Sequence, residues 1–393
     1  MLEVKDLNVT YRSGGRTVPA VRGVDLTLDA GQTLGLAGES GSGKSTLAMS
    51  LLRLLPAAAE VTGQVLYQGE DLLTAKWSRM RAVRWAEASV VFQGAMTALN
   101  PVHTIGDQLV EPILLHGRRA GEDGGRITEK QARTRAGELL ESVGVPARRM
   151  RSYPHEFSGG QRQRVMIAMA LACRPNLIIA DEPTTALDVM VQAQILDLLS
   201  DLVRDEGIGV IMISHDLSVL GQMCDRLAVM YAGELVESGP SRQLLDDPRH
   251  PYTRALSRAF PTIGDPASRR APAGLPGDPP DPAALGAGCP FAARCPEVHE
   301  VCASTPAPLV PAGPGRLSAC LRVLPGFPDV SADAPGPASD VPGPAAVVHE
   351  PSADVSEPSS DMAAPAPVVS EPSPEIPEPS PGLSEPSAEG ARS

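Results

Sequence analysis

No stretch of this chain is apolar over the roughly 20 residues that a membrane-crossing helix needs. Nor does it open with a basic segment followed by an apolar run, as an export signal would. The chain is therefore expected to stay in the cytoplasm, and any transport role would require separate membrane subunits. Positive charge is scarce as well. Of the net charge of −13, −11 falls after Leu324, where twelve acidic residues face one arginine. The remaining body, at −2, lacks the basic face of a nucleic-acid binder.

Closely spaced cysteine pairs are also missing. Of six cysteines, Cys173 and Cys224 lie in apolar, helix-like surroundings and read as inert core thiols. The other four, Cys289, Cys295, Cys302 and Cys320, are separated by five, six and seventeen residues. In a reducing compartment such a group points to metal rather than disulfides. Zinc ribbons use two tight pairs. The wider gaps and the Cys289-Pro290 and Cys295-Pro296 pairs suit a [4Fe–4S] cluster better, with zinc or unliganded thiols as alternatives. A region this small needs a staple, which assigns the cluster a structural role.

What the chain does contain is an alternation of strands and helices. Residues 3–9 and 24–28 alternate apolar and polar positions, as strands covered on one face do. Thr33-Leu34-Gly35-Leu36-Ala37 reads as a buried strand entering a glycine loop, and residues 46–55 read as a helix stopped by Pro56. Residues 105–157 are mostly helical, most clearly at 132–143, and another helix spans 161–172. Leu177-Ile178-Ile179-Ala180 and residues 209–214 are continuous apolar runs, as in central parallel strands. The fold class is α/β with a parallel-sheet core. After residue 260 Pro, Gly and Ala dominate. After 324 the chain is Pro, Ser, Ala and acid, with Ser-Glu-Pro-Ser recurring at Ser356, Ser370 and Ser384. That tail cannot bury enough apolar area to offset its ordering entropy, and disorder is expected there. Three parts follow: 1–260, a cysteine-bearing extension 261–324, and a tail 325–393.

The chemistry lies in motifs of fixed order. Gly38-Glu39-Ser40-Gly41-Ser42-Gly43-Lys44-Ser45 follows a strand and opens a helix. Its glycines allow backbone N–H groups to converge on phosphates, and the helix start adds partial positive charge. Lys44 supplies a point charge to the terminal phosphates, and the Ser45 hydroxyl can ligate Mg²⁺. Asp181, ending an apolar strand, can hold the ion through its water shell, and Glu182 is placed to polarise the attacking water. Ser158-Gly159-Gly160-Gln161 is a second anion-binding helix start. One nucleotide rarely needs two cradles, so the second is assigned to ATP held by a partner.

Together these segments resemble the ATP-binding-cassette (ABC) ATPases over residues 1–260. The resemblance implies a P-loop nucleotide-binding domain with a parallel-sheet core, an antiparallel β-subdomain and a helical subdomain. It implies that ATP contacts run through residues 40–46, including Ser40, Gly41, Ser42, Gly43 and Thr46. It implies that Tyr11 stacks on adenine and that Gln93 senses Mg²⁺ and water beside the membrane-subunit contact. Ser158, Gly159, Gly160 and Gln161 would close over the other subunit's γ-phosphate, with Phe157 where most members carry leucine. Asp188 would link the two ATP sites, and His215 would contact the γ-phosphate. Lys44, Glu182 and His215 are the expected catalytic set, and Ser45, Gln93 and Asp181 the expected Mg²⁺ set.

Two features resemble the dipeptide and oligopeptide uptake branch, whose members also import nickel or glutathione. One is Leu99-Asn100-Pro101, shortly after Gln93, although Gly94-Ala95 replaces the commoner Asp-Pro. The other is His250-Pro251-Tyr252-Thr253, opening a C-terminal extension whose four cysteines in this branch are thought to hold a [4Fe–4S] cluster. The expected protein is the ATPase subunit of a peptide importer on the cytoplasmic face of the inner membrane. Its expected partners are two permease subunits, a second ATPase subunit and an extracytoplasmic binding protein. A nickel or other small-solute importer, or a soluble non-transport ATPase of the same fold, is the rival reading.

Overall fold

The computed structural model describes residues 1–13, 15–92, 98–116, 127–184, 188–259, 275 and 277–327. Gln93 and nearly all of the expected tail lie outside the described residues. The strands are β1 (Leu2–Ser13), β2 (Arg16–Leu28), β3 (Thr33–Ala37), β4 (Ala59–Tyr67), β5 (Glu70–Asp71), β6 (Ala88–Val91), β7 (Leu177–Asp181), β8 (Gly209–Ile213), β9 (Arg226–Tyr231), β10 (Glu234–Pro240), β11 (Val310–Gly313) and β12 (Arg316–Ser318). The helices are α1 (Lys44–Leu51), α2 (Trp77–Val83), α3 (Ile105–His116), α4 (Glu129–Ser142), α5 (Gly159–Ala170), α6 (Val189–Glu206), α7 (Leu217–Met223), α8 (Ser241–Asp246) and α9 (Pro251–Ala259).

Strands β2, β1, β4 and β5 form an antiparallel sheet in that order. The second sheet runs β11-β12-β10-β9-β3-β8-β7-β6. Its β9-β3-β8-β7-β6 section is parallel, and β10, β12 and β11 continue it antiparallel. The parallel section is covered on both faces, which is why its strands read as unbroken apolar runs. Alternate residues still choose opposite sides. Leu34, Leu36, Ile179, Ile211 and Ile213 join the core beneath the antiparallel sheet and α1. Ala37, Ile178, Ala180, Val210 and Met212 join the core shared with α3, α4 and α5.

Capping residues start the helices where the sequence changes character. Thr128 and Gln131 form a reciprocal capping box ahead of α4, and Ser158 and Gln161 do so ahead of α5. Asp188 caps α6 through Val191 N–H, and α6 ends at Gly207 in the left-handed conformation. Among the described residues no helix is long and apolar enough to cross a membrane. Cys173 and Cys224 are buried, and burial pushes both thiols up to about 12.

The cysteine-bearing segment joins the main sheet through β12, whose Leu317 and Ser318 pair with Ser238 and Glu237 of β10. Beneath that junction Arg316 Nη2 donates to Glu237 Oε1 at 2.9 Å, and both side chains are buried. Glu237 also accepts the backbone N–H groups of Arg249 and His250, each at 2.9 Å. Replacing Arg316 by Met would leave this carboxylate buried without its cation. Arg316→Met is expected to cost about 3–5 kcal/mol of unfolding free energy, measured by denaturant titration of the purified chain.

Candidate functional site

The phosphate-loop motif occupies the turn between β3 and α1. Gly38 has φ +148°, and a Cβ there would meet the Met230 carbonyl oxygen at 2.3 Å. Gly43 has φ +100°, and a Cβ there would meet the Ala20 carbonyl oxygen at the same distance. Only glycine fits positions that combine this backbone with so close an approach. The Lys44 side chain folds back into the turn and donates to the carbonyls of Gly38 and Glu39, each at 2.8 Å, and to Ser42 Oγ at 3.3 Å. Burial lowers its pKa, and the charges of Glu182, Asp181 and Glu39 counter that effect in part.

Parallel pairing brings the other groups to the same edge. Asp181 is level with Ile213, and Leu36 with Ile213, so Gly38, Glu182 and Ser214 leave their strands side by side. Ser45 Oγ donates to Asp181 Oδ1 at 3.0 Å. Burial raises the Asp181 pKa, and the Ser45 hydrogen bond opposes it. Glu182 has φ +44°, a left-handed backbone in a residue other than glycine, and its N–H donates to the Ile213 carbonyl at 3.0 Å. Such backbone strain is commonest at functional sites. It turns the Glu182 carboxylate to within 3.6 Å of His215 Nδ1. The imidazole is exposed and the carboxylate largely covered.

Tyr11 on β1 places its hydroxyl 3.5 Å from Thr46 Oγ1, so the antiparallel sheet reaches the start of α1. The expected residues Lys44, Ser45, Thr46, Tyr11, Asp181, Glu182 and His215 therefore share one region. Ser158, Gly159, Gly160 and Gln161 stand at the start of α5, against α6. The Ser158 side chain accepts from Gln161 N–H at 3.3 Å, and a Cβ at Gly160 would press on Val191 Cγ1 at 2.5 Å. Asp188 lies at the adjoining start of α6, followed by the exposed Val189 and Met190.

The four cysteines of the extension, far apart in sequence, line one cavity together with His250 and Phe291. Its volume is about 20 Å³, room for little more than a single water. The Cys289 N–H donates to the Cys302 carbonyl at 2.8 Å. Burial, and then the neighbouring cysteines, push the Cys295 thiol up to about 12, and burial raises Cys289 and Cys320 as well. Four cysteines are nonetheless the donor type a soft metal centre takes. Even so, among the described residues no three His, Cys, Asp or Glu side chains stand where one metal ion could be held.

Sequence reasoning missed one contact at this site. Arg294, beside Cys295, forms a two-pronged pair with Glu39 of the phosphate loop, at 2.7 and 3.0 Å. The Glu39 N–H also donates to the Tyr252 hydroxyl at 2.8 Å. Partners 255 residues apart leave no local signal. The one available hint was an acidic residue inside an anion-binding loop.

Comparisons with known proteins agree with this geometry. Residues 21–185 match the ABC transporter family, and residues 236–302 match the oligopeptide/dipeptide transporter C-terminal region. The chain is 44% identical to the oligopeptide transport ATP-binding protein OppD of Escherichia coli (strain K12), over 82% of this chain and 93% of that protein. It is 45% identical to the dipeptide transport ATP-binding protein DppD of Bacillus subtilis (strain 168), over 77% of this chain and 88% of that protein. Among solved structures, the ATP-binding cassette MJ0796, in a dimeric post-hydrolysis state bound to ADP and Pi, superposes with a TM-score of 0.55. It is 29% identical, and the match covers 62% of this chain and 99% of that one. The chain belongs to the ATP-binding subunits of ABC transporters, in the oligopeptide/dipeptide uptake branch with its C-terminal extension.

Proposed function

We propose that this chain powers the uptake of di- or oligopeptides, hydrolysing ATP at the edge formed by β3, β7 and β8 while attached to the cytoplasmic face of the membrane. The observation that carries the reading is the assembly of Lys44, Ser45, Asp181, Glu182 and His215 at that edge. The peptide substrate follows from the named roles of the OppD and DppD relatives. On this reading residues 1–260 act as the ATPase module and 261–324 as an appended extension.

The geometry of the described residues and the family resemblance support the following roles. The loop N–H groups and the Lys44 ammonium bind the triphosphate, which replaces the carbonyls that Lys44 now contacts. Mg²⁺, held through Ser45 and Asp181 with Gln93 as the proposed third contact, would supply charge neutralisation on the phosphates. Tyr11, beside Thr46, packs against the base. The Glu182 carboxylate orients a water and takes its proton as the water oxygen bonds to the γ-phosphorus. The bond from that phosphorus to the bridging oxygen breaks, and ADP and phosphate leave. His215, within reach of Glu182, stabilises charge on the transferring group.

The dimeric MJ0796 cassette supports a second ATPase subunit as partner. Its docking surface would be Ser158 to Gln161 with Asp188, where Val189 and Met190 stand exposed. The permease subunits would dock in the cavity of about 680 Å³ lined by Trp85, Gln108, Glu111, Leu115 and His116, where the apolar Leu115 is bare. An extracytoplasmic binding protein would deliver the peptide to the permease. Cys289, Cys295, Cys302 and Cys320 are the proposed ligands of a [4Fe–4S] cluster. That all four line one cavity supports this, although the cavity as it stands has room for little more than a water, so a cluster would have to widen it while its iron offset part of the charge of thiolates that burial disfavours.

Two measurements test the reading. Glu182→Gln is expected to bind ATP with wild-type affinity, to accumulate as an ATP-bound dimer on gel filtration, and to hydrolyse ATP at least about 100-fold more slowly. Hydrolysis at the wild-type rate would remove Glu182 from the catalytic set. Protein purified without oxygen is expected to carry about four irons and four acid-labile sulfides per chain, both lost in Cys295→Ser. Stoichiometric zinc, or four freely reactive thiols without iron, would overturn the cluster.

A further inference from the structure

Glu39 is an unfavourable residue in its position. It occupies one of the spacer positions of a loop built to attract anions, and its charge is felt at Lys44. Left alone, a carboxylate there would repel a triphosphate. The protein holds it on every side. Its side chain receives both prongs of Arg294, at 2.7 and 3.0 Å. Its N–H donates to Tyr252 at 2.8 Å, and its carbonyl accepts from Lys44 at 2.8 Å. The Arg294 side chain is only 6% exposed, and its Nη1 also donates to Tyr231 at 3.2 Å. Glu39 chiefly, and Tyr231 after it, raise the guanidinium pKa further.

Arg294 is itself fixed from the extension. It closes the short 3-10 turn Ala292–Arg294 between the buried Phe291 and Cys295. Its N–H donates to the Phe291 carbonyl at 3.0 Å. Phe291 packs edge-on against Tyr231 and Tyr252, each with ring centroids 5.3 Å away. The residues that grip Glu39, Tyr252 and Arg294, therefore belong to one aromatic cluster seated beside the four cysteines.

We propose that Arg294 is a positioning residue for the ATP site. By pairing with Glu39 it cancels an acid in the anion cradle, and it makes nucleotide affinity depend on the fold of the four-cysteine extension. The proposal rests on the ATPase reading above. Because coupling between two sites is reciprocal, nucleotide bound at the loop must in turn steady the extension.

The test uses the full chain with Mg²⁺ and a fluorescent ATP analogue, alongside steady-state hydrolysis. Arg294→Met is expected to raise the Kd roughly tenfold or more, with KM rising more than kcat falls, since a desolvated charge-assisted pair is lost. Arg294→Lys, which keeps the charge without the fork, should fall between Met and wild type. In a Glu39→Gln background, adding Arg294→Met should change the Kd by less than about threefold, because the acid to be cancelled is gone. Arg133→Gln, which breaks an exposed ion pair with Glu129 within α4 and outside the extension, should leave the Kd unchanged. A wild-type Kd in Arg294→Met, a loss persisting in the Glu39→Gln background, or an equal loss in Arg133→Gln would each overturn the proposal. Should Arg294→Met fail to fold, amide exchange in the wild type decides. A non-hydrolysable ATP analogue is expected to slow exchange across residues 288–303, and no slowing overturns the coupling. If the wild type binds and hydrolyses ATP no better than Lys44→Ala, the ATPase reading itself fails. If Lys44→Ala alone is inactive and Arg294→Met is normal, only the positioning proposal fails.

Discussion

The nucleotide site depends on the parallel alignment of β3, β8 and β7. Hydrogen-bonded register sets Leu36, Ile213 and Asp181 in one row. The three chains therefore emerge together as the phosphate loop, as Ser214-His215 and as Glu182. Burial on both faces leaves these strands no freedom to slip, because a shift of one residue would exchange the two cores that their alternate side chains fill. A site at the carboxyl ends of parallel strands follows from this arrangement.

The site so built is electrostatically uncomfortable. Burial lowers the Lys44 pKa and raises that of Asp181. Each charged form is thus held at a cost, and their mutual attraction offsets only part of it. A bound polyanion and its counter-ion relieve both groups. Stability given up at the loop and strand ends is recovered in the two packed cores, the usual balance at a working site.

The C-terminal extension belongs to this arrangement physically. β12 adds to the main sheet through β10, Arg316 neutralises the buried Glu237, and Phe291 enters the same core as α3, α4 and α5. Through Arg294 and Tyr252 the extension takes hold of the phosphate loop itself. Few aromatics serve the chain, and three of them, Tyr231, Tyr252 and Phe291, meet at this one junction.

Much of the fold was legible in the sequence wherever the determinant is local. The glycine loop, the buried strands at Thr33–Ala37 and Leu177–Asp181, and the helix that starts at Ser158 are each specified by contiguous residues. Backbone conformation, capping and apolar periodicity act over a few positions and leave their mark there. The phosphate-loop residues could be named for the same reason, because a phosphate cradle needs adjacent N–H groups on one turn, whereas Tyr11, Gln93, Asp188 and His215 were named through the family resemblance. The convergence of four widely spaced cysteines on one cavity, the pairing of β12 with β10, and the grip of Arg294 on Glu39 carry no such mark. Each joins groups whose complementarity in charge or shape exists only after distant segments have packed. The sequence by itself determined the strand–loop–helix context and its phosphate chemistry. Only the tertiary structure decided that an acid within that loop is answered by an arginine from the far end of the described chain.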